Sequence, residues 1–307
     1  MDAAAARSLV ETRFPSVFPP GAVCDVQGPE HGTSNDCFRL RTAAGGEWIV
    51  RFPKSGEAEQ ELACELLVLP LLERLPVAVP RYELVAAAGD HHPRRFAVYR
   101  ALPGEPLAPE LLAALSEPAV ERAAARLGAF LAAVHGVERE RLEAAEAAAG
   151  VRLPRERLGW LDEGADGARR EVEDQLAPFR GHPAFAAVRR SVRELIDGDP
   201  EALRSSAGLV HGDLAPEHVL FCRERGEVTG ILDFGNLAWD DPAIDFIQLA
   251  DCYGPGFLAR VLAAYDHPGA VLLRRKVDVL HAVARALRAF RAACLQAPGP
   301  AAVPDAS

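Results

Sequence analysis

Apolar and polar residues alternate with a period of two in three short runs near the start of the chain, at residues 23–26, 37–40 and 48–52. Such alternation suits strands with one buried face, and the Gly- and Asn-bearing stretches 28–35 and 43–46 are turn material, so a β-meander is predicted. At residues 56–74 the period changes. Leu62, Leu66, Leu69 and Leu72 recur at helical spacing, which predicts a helix bent at Pro70. After a Pro-bounded loop at 76–80, runs at 81–87 and 95–100 complete a five-stranded sheet. Residues 101–107, with Pro103, Gly104 and Pro106, then break all periodicity and predict a boundary between units at 1–102 and 103–307. Beyond it, helices are expected at 110–115, 118–135, 166–176, 183–196, 256–265 and 271–294, with caps at Ser116 and Asp166 and His135 favouring a C-terminal dipole. The Ala-rich tract 141–150 reads as helix continuation or a connection, and 298–307 as a frayed tail.

One interruption of the helical half carries the chemistry. Residues 219–221 and 228–232 are apolar, with turn-like 223–226 between them, so a short hairpin is predicted. It is flanked by His211-Gly212-Asp213-Leu214 and by Asp233-Phe234-Gly235. The two aspartates therefore emerge at the same end of a small sheet. A hydroxyl attacking a γ-phosphate needs one carboxylate to accept its proton and another to hold the magnesium that neutralises the phosphates; Asp213 suits the first role and Asp233 the second. His218 stands five residues past Asp213, where kinase catalytic loops carry a metal-binding Asn, and its imidazole can take that place at the Mg2+ site. Asp241 with Pro242 opens a helix. Asp245, in its first turn, is expected to brace the catalytic loop together with His211, or else to favour the helix dipole.

These residues, 211–220, 229–235 and 241–246, resemble the aminoglycoside phosphotransferase family of small-molecule antibiotic kinases, most closely the 2″-aminoglycoside branch, in which a His also occurs at the His218 position. The resemblance extends more faintly over about the first 265 residues. It implies an α+β, two-lobed protein-kinase-like fold, with a small antiparallel β-sheet N-terminal lobe that binds ATP or GTP and a larger, mainly helical C-terminal lobe that binds the acceptor. It implies transfer of the γ-phosphate to a hydroxyl of a small cationic or sugar-containing molecule, with an aminoglycoside-like antibiotic foremost. A metabolic kinase of choline, homoserine or sugar type and a nucleotide-binding pseudokinase are the alternatives.

Within that frame Arg51 stands where kinases carry a phosphate-binding lysine, and strand register favours it over Lys54, which follows Pro53. Glu65 is its expected partner, with Glu61 one turn earlier as the fallback. Ser34, in the first turn, is a candidate phosphate contact, although a plain hairpin turn uses the same residues. Backbone groups near Tyr99 and Leu102 are expected to meet the purine. Glu173, Asp174 and Asp251 are candidate acceptor-site acids, with Glu171 beside them.

Composition narrows the classes. The net charge is −10, and residues 104–244 hold 16 basic and 26 acidic side chains, so excess acid sits where the acceptor is expected, though ordinary solvated helix faces would give the same count. No basic stripe supports nucleic-acid binding. Six cysteines without CxxC spacing imply reduced thiols. No stretch approaches the roughly 20 apolar residues of a membrane span, and the first residues lack a signal-peptide core, so a cytoplasmic location without a membrane partner is expected.

Overall fold

The period-two runs become an antiparallel sheet of five strands: β1 (Val23–His31), β2 (Asn35–Thr42), β3 (Glu47–Pro53), β4 (Tyr82–Ala86) and β5 (Phe96–Arg100), in the spatial order β1-β2-β3-β5-β4. This is a computed structural model, describing residues 1–72, 74–89, 92–155, 163–204 and 206–296. The first turn is tighter than expected. Strand β1 continues past Gly28 by absorbing Gly28 and Pro29 in a register shift between Gln27 and Glu30, which leaves only residues 32–34 as the turn. A helix that the pattern did not announce, α1 (Ala3–Arg13), is capped by Asp2 and buries Ala6, Leu9 and Val10. These join Phe18, Phe38, Trp48 and Phe96 in the first lobe's core.

Helix α2 (Gly56–Val68) begins at Ser55, whose hydroxyl accepts from the Ala58 amide at 3.1 Å. It ends six residues earlier than the leucine spacing suggested. Leu69–Leu71 form a 3-10 turn around Pro70, because proline lacks the N–H that would continue the helical hydrogen-bond ladder. Although α2 precedes β4 in the chain, Cys64, Leu67 and Val68 pack into the core of the second lobe. The segment after α2 is anchored there too. Ala78 donates to the Thr229 carbonyl and accepts from the Ile231 amide, both at 2.9 Å.

The second lobe contains α3 (Pro109–Ala114), α4 (Glu117–His135), α5 (Arg139–Ala149), α6 (Gly164–Leu176), α7 (Phe185–Gly198), α8 (Ala243–Ala264) and α9 (Ala270–Gln296). Helix α8 is broken at Gly254-Pro255, so the helix expected from residue 256 is its second segment. Helix α6 starts two residues before the expected cap, with Glu163 as its N-cap and Asp166 inside the first turn. Small strands complete the lobe: β6 (Glu105–Pro106) pairs with β8 (Val219–Cys222) and β8 with β9 (Glu227–Ile231), while β7 (Gly208–Val210) pairs with β10 (Ala238–Asp240). The apolar faces of these helices and strands form one cluster containing Leu127, Phe130, Leu131, Phe221, Phe234 and Phe246. Each such side chain contributes about 1.5–3 kcal/mol by leaving water. That cluster is the platform beneath the predicted hairpin.

Candidate active site

Strand β7 ends at Val210, and the chain then crosses a short loop and a 3-10 turn, Pro216–His218, before entering β8. The loop is pinned from below by Asp245, which is fully buried in the first turn of α8. Its carboxylate accepts from the His211 amide at 3.0 Å and the Gly212 amide at 2.7 Å. His135 Nε2 lies 3.0 Å from the same carboxylate, and its Nδ1 lies 3.0 Å from the Tyr265 hydroxyl. A carboxylate accepts, so Nε2–H donates to it, while the Tyr265 hydroxyl holds the other ring nitrogen. Burial alone would push the Asp245 carboxyl up, but the hydrogen bond from His135, the nearby imidazoles and the Gly212 amide hold it below the usual range.

His211 faces the opposite balance. Burial lowers its pKa, so the neutral imidazole is favoured. Its Nδ1 accepts from the Asp213 amide at 3.2 Å, which leaves Nε2–H to donate to the Leu232 carbonyl at 3.1 Å and couples the loop to the end of β9. Gly212 has φ +77°, and a Cβ there would lie 2.4 Å from the Asn236 carbonyl oxygen. Only glycine fits.

Asp213 projects from this braced loop. Its Oδ1 accepts from Gln248 Nε2 at 2.8 Å and its Oδ2 from Asn236 Nδ2 at 3.3 Å. Across from it stands Asp233, whose backbone occupies the left-handed region at φ +57° and whose Oδ1 accepts from the Gly235 amide at 3.3 Å. His218 sits between the two. Its Nδ1 is 2.8 Å from the Asp213 carbonyl and 3.7 Å from Asp213 Oδ2, and its Nε2 is 3.6 Å from Asp233 Oδ2. Since a carbonyl can only accept, Nδ1 carries a proton, and Nε2 is the ring nitrogen that faces Asp233.

The first lobe supplies the facing wall. Arg51 Nη1 lies 2.8 Å from both Glu65 oxygens and donates to the Tyr82 hydroxyl at 2.7 Å, while Tyr82 donates to Glu65 Oε2 at 2.5 Å. Arg51 Nη2 reaches within 3.8 Å of Asp233 Oδ1. Burial penalises the Arg51 charge, but Glu65 and the other nearby groups outweigh it, so the guanidinium stays charged. Glu61 does not pair with Arg51. It bonds the Ser34 side chain and faces Asp233, and burial followed by that like charge pushes its carboxyl up. Lys54 is turned to the turn 32–34, donating to the Gly32 carbonyl at 2.7 Å with Asp36 3.3 Å away.

Between these walls lies a cleft of about 510 Å³ lined by Arg51, Tyr99, Leu102, His218, Leu220 and Asp233 among others. The acids expected to meet an acceptor are less open. Glu173 is neutralised by Arg189 and Arg193, and Asp251 by Arg288 with His281 at 3.5 Å. Asp174 is exposed near the C-terminal end of α6. The excess negative charge read from composition is therefore partly consumed within the fold. The structure instead reveals Gln248, Asn236, His135, Tyr265 and Tyr82 around the site. None belongs to a short motif; Asn236 directly follows Asp233-Phe234-Gly235 and Gln248 lies two residues past the 241–246 segment, while the other three are far from any.

A nucleotide-sized cleft between a five-stranded sheet and a helical lobe, lined by Asp233 and His218 with Asp213 on the far side of His218 and a paired guanidinium on its wall, is the arrangement of a kinase-like phosphotransferase. The chain belongs to the phosphotransferase enzyme family, whose profile matches residues 25–280, and it transfers phosphate to a hydroxyl acceptor. It is 30% identical over 228 residues to viomycin phosphotransferase of Streptomyces vinaceus, covering 71% of this chain and 72% of that protein. A further match, 41% over 63 residues, is to the uncharacterized protein YcbJ of Bacillus subtilis and spans 20% of each chain. Among solved structures, the GDP and kanamycin complex of the aminoglycoside phosphotransferase APH(2″)-IIIa superposes with a TM-score of 0.66 at 25% identity, covering 94% of this chain and 92% of that one. Macrolide 2′-phosphotransferase MphH from Brachybacterium faecium shares the fold, with a TM-score of 0.61 at 23% identity over 97% and 99% of the two chains.

Proposed function

We propose that the chain inactivates an antibiotic by moving the γ-phosphate of ATP or GTP onto one of its hydroxyls. The observation that carries this reading is His218 standing between two aspartates, 3.7 Å from Asp213 and 3.6 Å from Asp233, with His218 and Asp233 lining the cleft. Asp213 is assigned as the group that orients the acceptor hydroxyl and takes its proton. Arg51, held by Glu65, is assigned to the donor's phosphates, with Ser34 at the tip of the β1–β2 turn beside them. Tyr99 and Leu102 are assigned to the base, and the lobe boundary to residues 102 and 103. His211 and Asp245 are the loop braces.

Asp233 and His218 suit Mg2+, which takes few protein ligands and completes its shell with phosphate oxygens and water. His218 Nε2 faces the Asp233 carboxylate, while the Asp213 carbonyl holds Nδ1 and so orients the ring. Mg2+ bound there would neutralise charge on the phosphates. Among the described residues, no cluster of three or more His, Cys, Asp or Glu could hold a metal ion by itself.

The antibiotic acceptor rests on the similarity to viomycin phosphotransferase and to a kanamycin-bound structure. Because Glu173 and Asp251 already carry arginine partners, an acceptor with few ammonium groups fits better than a polycation. Of the acids expected to meet an acceptor, Asp174 is the one assigned to its cationic groups. A cytoplasmic site of action is proposed from the need for nucleoside triphosphates; among the described residues no helix is long and apolar enough to cross a membrane. The test is mass-spectrometric detection of phosphorylated product across aminoglycoside, peptide and macrolide antibiotics with each nucleotide. Asp213→Ala is expected to abolish the product while nucleotide affinity changes less than about threefold, and undiminished turnover in that variant would sink the assignment.

A further inference from the structure

Gln248 lies one turn beyond Asp245 on α8, where its side-chain amide spans two parts of the catalytic loop. Its Oε1 accepts from the Leu214 amide at 2.7 Å, and its Nε2 donates to Asp213 Oδ1 at 2.8 Å. The orientation follows from the partners: a backbone N–H can only donate and a carboxylate can only accept, so oxygen must face Leu214 and nitrogen must face Asp213. Asn236 Nδ2 approaches the other oxygen at 3.3 Å, with the more favourable distance on the Gln248 side. We propose that Gln248 is a positioning residue for phosphoryl transfer, fixing the rotation of the Asp213 carboxylate against the acceptor hydroxyl. This rests on the reading of Asp213 as the proton acceptor.

An aspartate side chain has two torsions, and the loop backbone fixes neither. The braces from Asp245 and His211 hold the main chain at residues 211–213, but none of them touches the carboxylate. The two amides do. A group held at both oxygens meets the hydroxyl in one orientation, and displacement by about 1 Å costs on the order of 100-fold in rate.

Gln248 has two ends, and two substitutions separate them. Gln248→Glu keeps an oxygen for the Leu214 amide and removes the donor to Asp213. Gln248→Leu removes both. With Mg-nucleotide and an acceptor that the parent phosphorylates, kcat is expected to fall about 100-fold in each, with the nucleotide KM within about twofold of the parent; Gln248→Leu, which strips the Leu214 amide of its partner, also lowers Tm. If Gln248→Glu keeps more than about a tenth of the parent kcat while Gln248→Leu loses turnover or stability, the residue braces the loop through Leu214 and does not position the base. Should Gln248→Leu fail to fold, Gln248→Glu decides alone by the same threshold. Asp213→Asn serves as the separate control: turnover persisting there defeats the underlying reading of Asp213, whereas an inactive Asp213→Asn beside an active Gln248→Glu defeats only the role given to Gln248.

Discussion

Gly212 shows how little room the site leaves for sequence change. Its positive φ is costly for any other residue, and the space a methyl would need is filled by the Asn236 carbonyl at 2.4 Å. Gly212→Ala should therefore push the loop away from Asn236, which also holds Asp213. Turnover is expected to fall at least about 100-fold, with a measurable drop in Tm by calorimetry. At Tyr82 the effect is more selective. Its hydroxyl joins Arg51 and Glu65 in a closed triangle, so Tyr82→Phe leaves two buried charged groups each one partner short, a loss of about 1–3 kcal/mol. A raised nucleotide KM with a smaller change in kcat is the expected signature in steady-state assays. Gly212 stands inside the 211–214 motif, although its clash with Asn236 is a matter of the fold, whereas Tyr82 was not visible from its neighbours in sequence. Arg51 could be read because it stands where kinases carry a strand lysine and register points it inward, whereas Tyr82 lies 31 residues away and meets it only through the β4–β5 pairing beside β3.

Elements were legible in proportion to how local their causes are. The hairpin β8–β9 and the flanking aspartates could be inferred because turn residues and alternating strands act over a few positions. The end of α2 was misjudged because leucine spacing continues past Pro70 although the backbone cannot. Helix α4 illustrates the other limit. His135 ends it and reads as a dipole cap, yet it is a buried partner of Asp245, 110 residues later. The brace has a pH consequence. Both Asp245 and His211 have folded-state pKa values below their ordinary ones, so the stability they contribute is present above the unfolded values, about 3.9 for Asp and 6.5 for His, and is lost as pH falls through the folded values. Thermal denaturation should show Tm declining from about pH 6.5 downward and more steeply below about pH 4, and His211→Gln should flatten the upper part of that decline.

At the scale of the whole molecule, α2 ties the lobes together. It carries Glu65, which holds Arg51 on the first-lobe sheet, yet its Cys64, Leu67 and Val68 belong to the second lobe's core. Opening of the cleft by rotation of the sheet must therefore work against the Arg51–Glu65 contact. The net charge of −10 acts over longer range. It favours approach of a cationic acceptor and opposes approach of a nucleotide, so raising ionic strength should raise the acceptor KM and leave the nucleotide KM unchanged or lower in titrations from about 20 to 300 mM salt. That contrast would be absent if the acceptor were neutral.

The chain contains only two lysines, and the fold occupies both: Lys54 holds the turn 32–34, and Lys276 is fully buried against Asp241 and Ser206. The cation beside Asp233 is a guanidinium, which is always protonated and is not a nucleophile. Nucleotide analogues that capture kinases by acylating the lysine at this strand position would meet a guanidinium there, so an activity-based survey that counts on that lysine would gain no label from Arg51 even while the enzyme was turning over.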